Sequence, residues 1–200
     1  MKTGRKLRQP MTAGQKTQAG VVANESLGAL VRIGHHFHVE CFDKHGKMKW
    51  EDHFDNLVVN EGLDEYLDNV YNSAAFTSAH FVGLTDGTPT FAAGDTMASH
   101  AGWVEVIEYQ AQIGSPAANV RPEFQPGAAA SQSLSNTLNK AVFAIVAPGG
   151  TVGGAFISTD GAKNGTAGVL MGGNVFTGGD RVLAGGDTLN VTVTASMTSS

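Results

Sequence analysis

Apolar and polar residues alternate with a period of two over much of this chain, as expected of strands that turn one face inward. In residues 35–42, HHFHVECF, Phe37, Val39 and Cys41 share one face while His36, His38 and Glu40 share the other. A turn at Asp43-Lys44-His45-Gly46 leads into KMKWEDHF, where Met48, Trp50 and Asp52 fall together, so residues 29–54 are expected to form a hairpin. Residues 80–85 and 103–109 read as two more strands, separated by Asp86-Gly87-Thr88-Pro89 and a small-residue excursion through Gly94-Asp95-Thr96. In the second, Trp103, Glu105, Ile107 and Tyr109 alternate with Val104, Val106 and Glu108, and both faces carry apolar groups, as in a strand inside a packed sandwich.

From Leu138 the strand signal recurs in KAVFAIV, TVGGAFIS, AGVLMGGNVF and TLNVTVTASM. The last places Leu189, Val191, Val193 and Ala195 inward and Asn190, Thr192 and Thr194 outward. The pairs Gly153-Gly154 and Gly172-Gly173 predict bulges or a close approach of two sheets. AAGDT at 92–96 and AGGDT at 184–188 echo each other and predict two similar turns.

Two segments break the alternation. NEGLDEYLDNVY predicts a short helix, with Asn60 as N-cap, Glu61 near the positive end of the dipole, and Leu63, Leu67, Val70 and Tyr71 as its apolar stripe. Asp64, Glu65, Asp68 and Asn69 form the wet face, a solvated surface or a dock for basic arms. Residues 111–132, with Pro116, Pro122 and Pro126, predict a long surface loop. Phe124, flanked by prolines, is the candidate exposed aromatic anchor for a partner, unless it tucks back on the sheet.

Composition agrees with this reading. The chain of 200 residues fits one domain with an extension, its 42% apolar content suffices for a core, and its 26 glycines are nearly twice ordinary usage. The expected fold is all-β: a β-sandwich, jelly-roll or immunoglobulin-like, of about eight strands, with one short helix and an extended N-terminal arm. The arm is placed at 1–28 and the sandwich domain at 29–200.

Charge sharpens the division. Lys2, Arg5, Lys6, Arg8 and Lys16 face no acid in the first twenty residues, whereas the remaining 180 hold eight basic against eighteen acidic residues. The arm lacks aromatics and periodicity, so it is expected to order only on a partner. Extended, some 25 residues reach about 80 Å. With no aromatics interleaved among the five cations, no specific nucleic-acid contact is expected; the five basic residues and Phe124 are the candidate partner-binding groups.

Candidate chemistry is sparse. His36, His38 and Glu40 form an H-x-H set with a carboxylate, and His35, His45 and His53 lie nearby, but no second ligand pair closes a four-ligand site, so no metal is expected. Asp95, Ser99 and His100 hold the residue types of a hydrolase triad, yet they lie within six residues and no G-x-S-x-G accompanies them, so they read as turn or capping groups. GTAGVLMGG has no Lys-Ser/Thr after it and is no phosphate loop. No enzyme and no cofactor is expected. Single Cys41 excludes a disulfide within the chain and reads as a buried strand thiol. No apolar run approaches the roughly 18 residues of a membrane span, and the basic start lacks a signal-peptide core, so cytoplasmic synthesis is expected.

The runs VGLTDGTPTFAAGDTMASHAGWVEV, LVVNEGLDEYLD, GGAFIS and GGDTLNVTVT resemble a family of small virion structural proteins of tailed bacteriophages. The resemblance spans 37–195 and is most specific in DTMASHAGW at 95–103. It implies a component of the virion, assembled in the host cytoplasm. The favoured role is a homo-oligomeric capsid decoration or cement protein that bridges copies of the major capsid protein. The alternatives are a neck or tail adaptor or fibre-anchoring subunit, and a carbohydrate-binding module that stacks sugars on Trp50, Trp103 or Phe124.

Overall fold

A computed structural model describes residues 31–72, 79–87, 90–100, 103–113 and 115–199. The arm at 1–28, with Lys2, Arg5, Lys6, Arg8 and Lys16, lies outside the described residues, as do Thr88-Pro89 of the expected turn and two residues of DTMASHAGW. The larger antiparallel sheet contains β1 (Val31–Phe42), β2 (Met48–Asp55), β5 (Tyr109–Ile113), β6 (Ser115–Ala117), β7 (Ser133–Ser135), β8 (Ala141–Ile145) and β13 (Thr188–Ser199). Their order is β2-β1-β13-β8-β5-β6, with β7 also on β13. The smaller sheet runs β3 (Leu57–Val58), β11 (Leu170–Val175), β10 (Gly154–Ser158), β4 (Phe81–Thr85), and β9 (Gly149–Val152) pairs with β12 (Arg181–Ala184). The fold is all-β and sandwich-like, with thirteen strands among the described residues rather than about eight.

The spine is the pairing of β1 with β13, in register from Val31 opposite Ser199 to Phe42 opposite Thr188. Phe37 faces Val193, Val39 faces Val191 and Cys41 faces Leu189, and all six are fully buried. On the other side Phe54 of β2 stacks on Phe37 with ring centroids 4.9 Å apart. Val82, Leu84, Ala155, Ile157 and Met171 of the smaller sheet join the same core. Each such side chain taken from water contributes roughly 1.5–3 kcal/mol for the larger residues.

The smaller sheet is buried on its second face too. There Val59, Met97, Trp103, Phe156 and Leu170 form a second cluster, with Phe91 packed against it. Gly83 lies opposite Phe156, and a Cβ at position 83 would come 2.1 Å from that ring. The missing side chain is the space the ring occupies.

Two expectations about the middle of the chain need correction. Residues 103–108 are not a regular strand: Glu105 makes one isolated bridge to Thr85, and pairing in β5 begins only at Tyr109. The chain leaves the edge of β4 here and crosses to β8 in the other sheet, so it cannot keep one ladder throughout. Residues 111–132 are not simply a surface loop, since they include part of β5 and all of β6, and Arg121 within them is fully buried. Of the two courses open to Phe124, it takes the one that tucks back: it is half-buried against the main core, with its backbone N–H donating to the His80 carbonyl at 2.7 Å.

The helix α1 spans Asn60–Tyr71, but Val59 occupies the cap position and no side chain caps it. Its stripe is also turned the other way. Leu63, Leu67, Val70 and Tyr71 are exposed, the last three at 58, 64 and 83%, while Gly62 and Glu65 are buried and Tyr66 packs on the core. Two anchors account for the rotation. A Cβ on Gly62 would lie 2.5 Å from the Met171 carbonyl oxygen, so only a glycine lets the helix rest on β11. The Glu61 carboxylate accepts the backbone N–H groups of Met97 at 2.9 Å and Leu170 at 2.5 Å. Buried donors left without acceptors cost about 1–3 kcal/mol each, which competes with the gain from burying one leucine.

Candidate functional site

The outer side of α1 is a surface of mixed character. Its apolar stripe is bare, Asp64 beside it is exposed, Glu61 and Asp68 are half-buried, and the helix contains no basic residue. Asp68 is only partly engaged, by the Nδ2 group of Asn72 at 3.3 Å. Such a surface can receive a partner that offers both apolar and cationic groups.

Beneath the helix the contacts are fully organised. Tyr66 Oη lies 2.5 Å from His35 Nε2, and Asn56 Nδ2 lies 2.7 Å from His35 Nδ1. Asn56 Oδ1 accepts the His35 backbone N–H at 2.9 Å, so the amide must donate to Nδ1, which leaves the His35 proton on Nε2. Burial holds the imidazole down to about 4. The same cause pushes the Tyr66 phenol up to about 12.

The triad residue types are not brought into a catalytic arrangement. Asp95 Oδ2 accepts the Ala92 N–H at 2.8 Å, and the Asp95 N–H returns to the Ala92 carbonyl at 3.0 Å. The echoing segment repeats both bonds: Asp187 Oδ2 accepts from Ala184 at 2.8 Å and Asp187 N–H donates to its carbonyl at 3.0 Å. The two similar turns are the same turn. The N–H that the Asp95 carboxylate accepts lies three residues upstream. The Ser99 N–H is held by Thr96 Oγ1 at 2.9 Å, and His100 stacks on Trp103 with centroids 3.6 Å apart.

Trp103 is buried between His100, Phe91 and Phe156, whereas Trp50 is half-buried, with Phe176 tilted against it and the Arg181 guanidinium 5.8 Å from its ring. Cys41 is a core residue whose thiol burial pushes up to about 12, assisted by Asp187. In the H-x-H set, Glu40 is taken by Lys140, whose Nζ lies 2.5 Å away. His36 and His38 remain on the outward face. Among the described residues no helix is long and apolar enough to cross a membrane.

The sequence patterns missed Arg121. Its Nε and Nη2 donate to Glu105 Oε1 and Oε2 at 2.8 and 2.7 Å, Nη1 donates to Ser158 Oγ at 3.1 Å and the Asp160 carbonyl at 2.7 Å, and Nη2 reaches the Gly165 carbonyl at 3.2 Å. All five donors are used, so this is a structural node. An arginine between prolines offered no signal that its partner stood sixteen residues upstream.

No family model, curated protein or solved structure matches this chain.

Proposed function

We propose that the chain is a virion structural protein of a tailed bacteriophage, a capsid decoration or cement protein that fastens neighbouring subunits together. The observation that carries this reading is the bare stripe of Leu63, Leu67, Val70 and Tyr71 on α1, flanked by acidic residues. A contiguous apolar surface with a polar border is the mark of a surface made to be covered. The basic first twenty residues supply the complementary chemistry: five cations and a few aliphatic groups on a segment long enough to cross to a neighbour. The likeness of DTMASHAGW and its flanking runs to phage virion proteins supports the particle as the setting.

In this reading α1 seats the sandwich against another subunit, and the arm, through Lys2, Arg5, Lys6, Arg8 and Lys16, straps across an acidic protein surface. Each contact is weak, but repetition over a symmetric shell multiplies them. Burial of Trp103 removes one of the three stacking platforms that the carbohydrate-binding alternative would use.

Deletion of residues 2–20 tests the strap. The truncated domain is expected to fold and stay soluble yet fail to enter particles during assembly. Unchanged incorporation would overturn the strap. Copy number in purified particles then separates the settings: many copies over the shell fit decoration, whereas a single ring of copies moves the protein to the neck or tail.

A further inference from the structure

The outward face of the β1–β2 hairpin carries an ordered ladder of imidazoles and carboxylates. His36 stands opposite Asp55, His38 opposite His53, and Glu40 opposite Glu51. His53 stacks on His38 with centroids 4.0 Å apart and planes 11° from parallel, and on His36 at 5.7 Å. Glu40 is committed to Lys140 and His36 Nδ1 to Asp55 at 2.8 Å. The groups left together are His38, Glu51 and His53, each with a ligand atom within 4.8 Å of the others.

The spacing is informative. His38 Nε2 and Glu51 Oε2 are 3.3 Å apart, long for a charge-assisted hydrogen bond. Bonds of about 2.0–2.1 Å arranged tetrahedrally hold neighbouring ligand atoms about 3.3–3.4 Å apart. One edge of such a tetrahedron is therefore already formed. The third ligand, His53, lies directly across the strand pair, and its ring is held against both His36 and His38. The backbone that carries all three is fixed by hairpin pairing, and β1 is further fixed by β13. Because the two rings are nearly parallel, closing the site requires His38 and His53 to turn out of their stack so that both lone pairs meet at one ion.

We propose that His38, Glu51 and His53 bind one divalent transition-metal ion. Two imidazoles with one carboxylate suit a borderline ion such as Zn²⁺ or Cu²⁺, and disfavour Ca²⁺ and Mg²⁺, which take oxygen ligands. Glu51 and His53 are exposed, which leaves the fourth position to water. The set differs from the one the sequence suggests: Glu40 is replaced by Glu51 and His36 by His53, because cross-strand neighbours, not residues two apart on one strand, converge.

Calorimetric titration of the full chain with Zn²⁺ at neutral pH tests it. One equivalent is expected to bind, and Co²⁺ is expected to give the visible absorption of a four-coordinate ion. His38→Ala and His53→Ala should each weaken Zn²⁺ binding by more than about 10-fold, since removal of even a group that only supports a ligand costs that much. Glu51→Gln should also weaken it, while His45→Ala, in the hairpin turn, should not. A second readout needs no variant: Zn²⁺ should raise the melting temperature of the wild-type protein, since it binds the folded site. Absence of a one-to-one isotherm and of that rise, or unchanged binding in a folded His38→Ala/His53→Ala double variant, would overturn the assignment.

Discussion

Arg121 and Glu105 form a two-pronged ion pair that is sealed from solvent, with Nε to Oε1 at 2.8 Å and Nη2 to Oε2 at 2.7 Å. The Glu105 carboxylate also accepts the Asn164 backbone N–H at 2.6 Å, so the pair ties the crossing segment at 105 to the loop at 160–165. The Phe156 ring lies below the guanidinium at 5.1 Å, which joins the pair to the second apolar cluster.

Loss of either partner strands a buried charge. Arg121→Met and Glu105→Leu are each expected to cost about 3–5 kcal/mol in urea unfolding. Arg121→Lys should not rescue the loss, because an ammonium has three donors where five are used. An Arg121→Met/Glu105→Leu double variant should recover part of it; strictly additive losses would argue against a coupled pair.

Acid should destabilise the domain through His35. Its folded value of about 4 lies below the ordinary 6.5, so the unfolded chain takes up the proton first. The associated stability is complete above about pH 6.5 and is lost as pH falls toward 4, on the order of 3 kcal/mol in all. His80, also lowered by burial, acts in the same direction. The urea midpoint should therefore fall between pH 7 and 4.5, and His35→Gln should flatten that fall. An equally steep fall in the variant would exclude His35 as its source.

The two sides of α1 should respond in opposite ways. Gly62→Ala drives a methyl group toward the Met171 carbonyl and is expected to cost about 1–3 kcal/mol. Leu67→Ser and Tyr71→Ser, on the bare side, should change stability by no more than about 0.5 kcal/mol yet lower incorporation into particles. Serine variants that unfold the domain would show that the stripe supports the fold instead.

What the sequence determined on its own was local. Alternation predicted the buried Phe37, Val39 and Cys41 of β1 and Leu189, Val191 and Val193 of β13 because successive side chains on a strand must point to opposite sides, although Thr192, expected outward, is buried too. The DKHG turn forms because the Asp43 carboxylate accepts the N–H groups of His45 and Lys47, and the AAGDT and AGGDT turns form because each aspartate binds an N–H three residues back. These interactions need no distant partner.

Tertiary structure decided what depends on remote groups. The stripe on α1 identifies an apolar face but not its direction; Glu61 sets that by reaching the N–H groups of residues 97 and 170. The irregular course of 103–108 and the burial of Arg121 both follow from Glu105 finding its partner across the fold. His38, Glu51 and His53 likewise converge only once the hairpin register is set. In each case a buried or clustered polar group needs complementary partners, and the chain supplies them from positions that no periodicity connects.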